Sequence, residues 1–330
     1  MLTRRQVGAA TLGAAAALGA PAVAGAQPSE AWPNPNRPVE VIVLANAGGP
    51  VDVMTRLILP FVAERIPGLR TVVTNRPGAG GQIGLEATFN AAPDGYTLGA
   101  TTIPAQMAIP IERPTRYRAM DFTFIANIVE DPNAFYVPAD SPFRTIGDLI
   151  ERARAAPGTI HCATTGIGSD DHIFLLAFEA AARIPPLVHV PFTGNAPLFS
   201  QLLGGHLQLA AVNINDAIAL MREGRVRALA MAGTERSRFA PEVPTLRELG
   251  FDIVTGASRG ILGPPGLPGP IVAKLEEAFR GALSDPRFVA DAERQFMPLR
   301  PLVGAEYRRM AQGVDDMVRS LWEVRPWRER

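Results

Sequence analysis

Two glycine-rich segments carry the chemistry that the residue types of this chain can support. The first, Asn75-Arg76-Pro77-Gly78-Ala79-Gly80-Gly81-Gln82-Ile83-Gly84, sets four glycines and a proline between an apolar run and an amphipathic one. Glycine tolerates positive φ and lets other groups approach the backbone, and the amides that open a helix form a positive end. Such a loop can offer its N–H groups to an anion, Gly80 and Gly81 among them, or it can be a packing loop between two close elements. Arg76 adds a guanidinium suited to a carboxylate ligand or to a structural salt bridge. The second segment, Ala163-Thr164-Thr165-Gly166-Ile167-Gly168-Ser169-Asp170-Asp171-His172, ends one apolar run and opens a helical pattern. The amides of Gly166 and Gly168, with the Ser169 hydroxyl, can hold a carboxylate without any cation. Ser169 equally suits an N-cap, which does not exclude ligand contact. His172, one turn into the helix, is either a ligand contact or a brace for the loop.

Other chemistries lack their residues. Ser169 has no flanking glycines of the G-x-S-x-G type. Neither Gly78-Ala79-Gly80 nor Gly166-Ile167-Gly168 has its third glycine three residues on, so the dinucleotide fingerprint fails, and no P-loop or zinc motif appears. His161, His189 and His206 are not spaced as metal ligands, and Lys274 lies in a surface helical pattern. No enzyme, cofactor or metal is expected.

The elements around these loops alternate. After a Pro/Asn linker at residues 27–38, strand patterns at 39–44 and 71–74 alternate with helical patterns at 52–65 and 82–90. Residues 92–97, Ala-Pro-Asp-Gly-Tyr-Thr, turn into a further short strand. The rhythm returns with helices at 146–155, 169–183 and 196–203 and strands at 160–163, 187–190, 207–212 and 226–231, then closes on helices at 271–283, 286–295 and 305–322. Such alternation implies an α/β protein with parallel sheets covered by helices. Composition breaks at 137–142 and 255–270 are candidate hinges. Ligands in open α/β sheets bind at the carboxyl ends of strands, which directs attention to Asn46, Gly48, Gly49 and Asp52 after the first strand and to Thr101 and Thr102 after the third. Asp52 can be an N-cap or can receive a ligand ammonium.

Length and composition set the outer limits. With 47% hydrophobic residues in 330, the chain can build two domains around apolar cores, and its single cysteine, Cys162, allows no internal disulfide. Residues 1–26 read as an export signal: Arg4-Arg5, an uncharged Ala/Leu/Gly run too short to span a membrane, then Ala24-Gly25-Ala26. The arginine pair suggests the twin-arginine route, with ordinary secretion as the alternative. Removing the signal takes away two arginines from a balanced count of 32 basic and 32 acidic residues, and a slightly acidic mature chain gives no support for nucleic acid or an anionic membrane surface as partner.

With the Asn75–Gly84 and Ala92–Thr97 runs together, the chain resembles the Bug family, the periplasmic solute-binding proteins of tripartite tricarboxylate transporters, whose sequences carry NRPGAGG…IG…APDGYTL. Ala163–His172 is similar to the family's S-x-G-x-G-S-x-x-H pattern, with Thr164 for the first serine. His189–Pro197 resembles HVPYKG-AAP, with Phe192 for Tyr, Thr193 for Lys and Gly194 kept. Leu44 and Ala45 stand where Pro-Phe is typical, and Val51 where a hydroxyl is usual, so Asn46 becomes a compensating polar group. Asn213 replaces a carboxylate, and Arg259 replaces an aromatic, where it can pair with a ligand carboxylate or stand as a solvated hinge residue.

The resemblance implies a two-lobed binding protein of the type II kind, with lobe one at 39–137 plus 255–330, lobe two at 138–254 and the ligand cleft between them. It implies a monomeric periplasmic receptor that hands a small carboxylate to membrane permease subunits. A sensor presenting that carboxylate to a membrane signalling protein is the alternative. Which carboxylate is bound stays open.

Overall fold

The computed structural model describes residues 32–327; the expected export signal lies outside them. In chain order the first elements are β1 (Val39–Val43), α1 (Pro50–Ala63), β2 (Thr71–Asn75), α2 (Gln82–Phe89), β3 (Thr97–Ile103), α3 (Ala105–Glu112) and β4 (Thr123–Pro138). Next come α4 (Ile146–Ala155), β5 (His161–Thr164), α5 (Asp170–Ala182), β6 (Val188–Pro191), α6 (Asn195–Leu203), β7 (Leu209–Asn213), α7 (Ile218–Arg222) and β8 (Val226–Met231). The chain closes with β9 (Gly256–Gly263), α8 (Gly269–Leu283), α9 (Pro286–Arg294), β10 (Leu299–Val303) and α10 (Ala305–Val324).

The architecture is α/β and two-lobed. In lobe one β1 lies between β2 and β3, parallel to both, and in lobe two β5 lies between β6 and β7, also parallel. The long strand β4 joins the two. Its first half pairs antiparallel with β9 and β10, its second half with β7 and β8. The sheet is therefore mixed, parallel where βαβ units build it and antiparallel where the chain crosses.

The change of partners falls at Asp131–Asn133, inside β4, rather than at the 137–142 composition break. Pro132 sits opposite Gly256 at this point, and Asn133 donates its N–H to the Thr255 carbonyl at 3.1 Å. The second composition break also hides a strand. Residues 256–263 form β9, held between β3 and β4, where the sequence suggests a hinge. Its glycines are packing residues: a Cβ on Gly260 would lie 2.5 Å from the Ala126 carbonyl oxygen and 2.6 Å from the Tyr307 hydroxyl. Composition signals looseness there, and close approach of backbone to ring is what uses the glycine.

Each lobe buries apolar side chains on both faces of its strands. Val41, Val43, Ile58 and Phe279 fill one side of lobe one, and Met107, Phe122, Phe124 and Tyr307 the other. In lobe two Phe135, Phe174 and Phe178 pack on one side, with Tyr136, Leu198 and Leu202 opposite. Cys162 is buried and free. No helix among the described residues is long and apolar enough to cross a membrane.

Candidate functional site

The loop after β1 is fixed from within. Gly49 is the N-cap of α1 and supplies no side chain, so Asp52, three residues on, is not the cap that its position suggests. Its buried carboxylate accepts from Arg56 Nε at 2.9 Å, from the Gly48 N–H at 2.9 Å and from Asn75 Nδ2 at 2.9 Å. The Arg56 bond, with the other two, outweighs burial and holds the carboxyl at about 2. Asp52 is thus a bracket between loop, helix and β2, with its oxygens engaged inside the protein. Asn46 is exposed, and its carbonyl closes the turn by accepting the Gly49 N–H at 3.2 Å.

The glycine loop before α2 behaves as a packing loop. Gly81 has φ +101° and a Cβ there would stand 2.8 Å from Leu44 Cδ1, while one on Gly84 would stand 2.8 Å from Leu44 Cα. Gly80, at φ +66°, lies in the exposed part of the turn, which Arg113 ties down by donating to the Ala79 carbonyl at 2.7 Å. Arg76 pairs with Glu40 at 2.9 Å. Thr101 is buried and donates to Gln106 Oε1 at 2.7 Å, while half-buried Thr102 lies opposite Arg259 in the β3–β9 register.

In lobe two, Ser169 is the N-cap of α5. Its oxygen accepts the His172 N–H at 3.2 Å and its hydroxyl donates to the Gly166 carbonyl at 2.8 Å. The Gly168 N–H donates to His172 Nδ1 at 3.2 Å, which leaves the proton of the neutral ring on Nε2. That ring stacks on His189 at 3.9 Å and 8°, and His189 Nε2 lies 2.6 Å from the Thr164 hydroxyl. Burial, with the neighbouring His189, lowers His172 to about 3; burial lowers His189 to about 4. His172 braces the loop. Phe192 is half-buried at the edge of the lobe-two core, Thr193 is exposed, and Gly194 adopts φ +147° as the N-cap of α6.

Where β4, β7 and β9 meet, a polar network replaces the apolar core. Arg259, buried on β9, donates from Nη1 to Asp131 Oδ2 at 3.2 Å and from Nη2 to Asn213 Oδ1 at 3.1 Å. Its guanidinium is thus buried and bonded rather than solvated. Asn213 Nδ2 donates to the Asp131 carbonyl and to Asp170 Oδ2 at 2.8 Å, and Asn133 Nδ2 bridges Asp170 at 3.0 Å and Asp171 at 2.9 Å. Asp171 also accepts from the Thr165 hydroxyl. Burial pushes Asp131 up to about 7 despite Arg259, and raises Asp216 and Asp171 as well. Burial works against the Arg259 charge, but Asp131, Asp216 and Asp170 more than offset it.

This network opens on a cavity of about 230 Å³ between the two lobes. Gly48 and Met54 of lobe one line it, with Phe296 and Met297 before β10; Asn215 and Asp216 close it from the turn after β7, and Asp131 and Arg259 form its floor. A larger groove of about 820 Å³ runs between α4 and β8, away from these converging groups. Of the residues singled out in the sequence, Gly48 and Arg259 line the cavity and Asn213 supports it. Asp52, Thr164, Ser169 and His172 are bonded elsewhere. Asp131 escapes the sequence motifs, although the polar run Glu130-Asp131-Pro132-Asn133 inside an otherwise apolar strand is a signal, while Asn215 and Asp216 belong to the same family-like loop as Asn213. Among the described residues, no cluster of three or more His, Cys, Asp or Glu could hold a metal.

The receptor family of tripartite tricarboxylate transporters matches residues 61–313. The chain belongs to that family. It is 34% identical over 289 residues to the UPF0065 protein in the gbd 5′ region of Cupriavidus necator, with 84% of this chain and 85% of that protein covered. A TctC solute-binding protein from Polaromonas, solved without ligand, superposes with a TM-score of 0.74 at 29% identity, covering 88% of this chain and 99% of that one. MatC of Rhodopseudomonas palustris, solved with bound malate, gives a TM-score of 0.72 at 29% identity, covering 87% and 98%. As a member of the tricarboxylate-transporter receptors the chain is a solute-binding protein.

Proposed function

We propose that this receptor binds a small carboxylate in the cavity between its lobes and delivers it to the permease subunits of a tripartite tricarboxylate transporter. The observation that carries the reading is a buried guanidinium, Arg259, facing a cavity of about 230 Å³ in a member of this family. The malate bound to MatC supports the ligand class. The receptor is periplasmic and monomeric, with its export signal removed near residue 26, and its lobes close about the crossings at Asp131–Asn133 and Thr255–Gly256. Closure shifts a population only in so far as the ligand binds the closed state more tightly.

Thermal-shift measurements on the purified mature protein with a panel of mono-, di- and tricarboxylates test this. A carboxylate present at 100 times its Kd should stabilise by roughly 2.7 kcal/mol. A panel in which only neutral sugars raise the melting temperature would sink the reading.

A further inference from the structure

Besides the two strand crossings, a third element joins the lobes. α10 starts in the core of lobe one, where Tyr307 is fully buried and meets Phe124 edge to face at 5.2 Å. It ends against lobe two. Val318, near its far end, shares one apolar cluster with Ala108 of α3 and with Ile173 and Leu176 of α5. A helix of 20 residues is about 30 Å long, enough to reach from one lobe to the other.

The segment after α10 fixes that far end. Arg325 Nη2 pairs with Glu179 Oε2 of α5 at 2.9 Å, and the Glu179 side chain is only 3% exposed. The other Glu179 oxygen accepts the Leu187 N–H at 2.7 Å, so this carboxylate belongs to the interior of lobe two. Leaving it buried without its cation would be costly, which makes the pair more than a surface contact. Trp327, also buried, meets Trp322 edge to face at 4.8 Å and lies against the glycine loop that opens α5: a Cβ on Gly168 would stand 3.3 Å from the indole Nε1. That N–H has no acceptor among the described residues. An unpaired buried donor weakens the seat of the ring, and the contact can let go.

Under the middle of the helix the packing is open. A cavity of about 200 Å³ separates Met310, Val314 and Met317 of α10 from Glu130, Thr255 and Gly256 at the crossings. The crossings therefore have room to bend beneath α10, but cannot bend far while both ends of the helix are held.

Resting on closure about the crossings but not on the identity of the ligand, we propose that residues 325–327 are a strap. Seated on α5, the strap holds the lobes together around the cavity near Arg259; released, it lets them part. Apparent affinity scales with the fraction of receptor in the binding-competent arrangement, so the strap tunes affinity from outside that cavity. Arg325 and Trp327 are positioning residues in this device.

Double electron–electron resonance on the ligand-free mature protein tests this, with spin labels on Glu151→Cys of α4 and Glu277→Cys of α8, one exposed position in each lobe. Cys162 is buried and stays unlabelled. Arg325→Ala should raise the ratio of wide to narrow separations on the order of 10-fold, the effect of losing a hydrogen bond to a charged group. Trp327→Ala should move the ratio the same way, and Arg325→Lys, which keeps the charge, should restore most of the wild-type value. Glu179→Gln keeps an acceptor for Leu187 and loses the charge; combined with Arg325→Ala it should add nothing to the single change, because both remove one contact. Two separations whose ratio is unmoved in Arg325→Ala and Trp327→Ala, or moved towards the narrow one, would overturn the strap and leave closure standing. One narrow separation shared by wild type and variants would overturn both.

Discussion

Replacing Arg259 by methionine removes the guanidinium from the middle of the network and leaves most of its volume filled. Two unit charges at the 3.2 Å of the Arg259–Asp131 pair attract by about 5 kcal/mol at an effective dielectric of ~20. Deleting one partner of a buried pair typically costs about 3–5 kcal/mol, because the other is left charged and dry. The cost must depend on pH. Asp131, with its carboxyl at about 7 in the folded protein, is charged at pH 8 and mostly protonated at pH 5. Because the folded value lies above the unfolded one, near 3.9, Asp131 stabilises the fold at low pH and loses that contribution as pH rises through 7. Without Arg259 the carboxyl climbs further, and the loss deepens on the alkaline side. Arg259→Met should therefore lower unfolding free energy by about 3–5 kcal/mol at pH 8 and by about 1–2 kcal/mol, the worth of the remaining hydrogen bonds, at pH 5. Urea titrations followed by tryptophan fluorescence at the two pH values measure both. Equal losses at pH 5 and pH 8, or a loss below about 1 kcal/mol at pH 8, would refute the account of a charged pair shut inside the protein.

Three further outcomes are expected. Ser169→Ala should cost about 1 kcal/mol of stability, and Ser169→Gly only a few tenths, with calorimetric affinity for a carboxylate unchanged in both, since the hydroxyl is spent on Gly166; a large loss of affinity would return Ser169 to the ligand. Gly84→Ala should destabilise by about 1–3 kcal/mol through overpacking against Leu44, and a melting temperature equal to wild type would show that the two elements can part. Asp52 sits below its usual range, so its contribution is present above about pH 4 and fades as pH falls towards 2. Asp52→Asn should then be less stable at pH 7 yet lose less between pH 4 and pH 2, and parallel acid-unfolding curves for the two proteins would contradict the bracket.

The sequence by itself determined the βα alternation of both lobes, because strand and helix periodicity are local properties written in runs such as Val39–Val43 and Asp170–Ala182. It also determined the family, through glycines and turns at fixed spacing. What those glycines do was decided only by the tertiary structure. Gly81 and Gly84 reveal their purpose through Leu44, some 40 residues away, and Gly260 through Tyr307. The composition of 255–270 signals a loop, yet β9 is a strand because β3 and β4 offer it ladders on both edges. Arg259 shows the limit most clearly. Its partner Asp131 is 128 positions away, and only the antiparallel pairing of β4 with β9, beside β7, turns a free guanidinium into one end of a buried ion pair. A residue type fixes which bonds a side chain can make; which of them are already spent depends on the neighbours that the folded sheet brings to it.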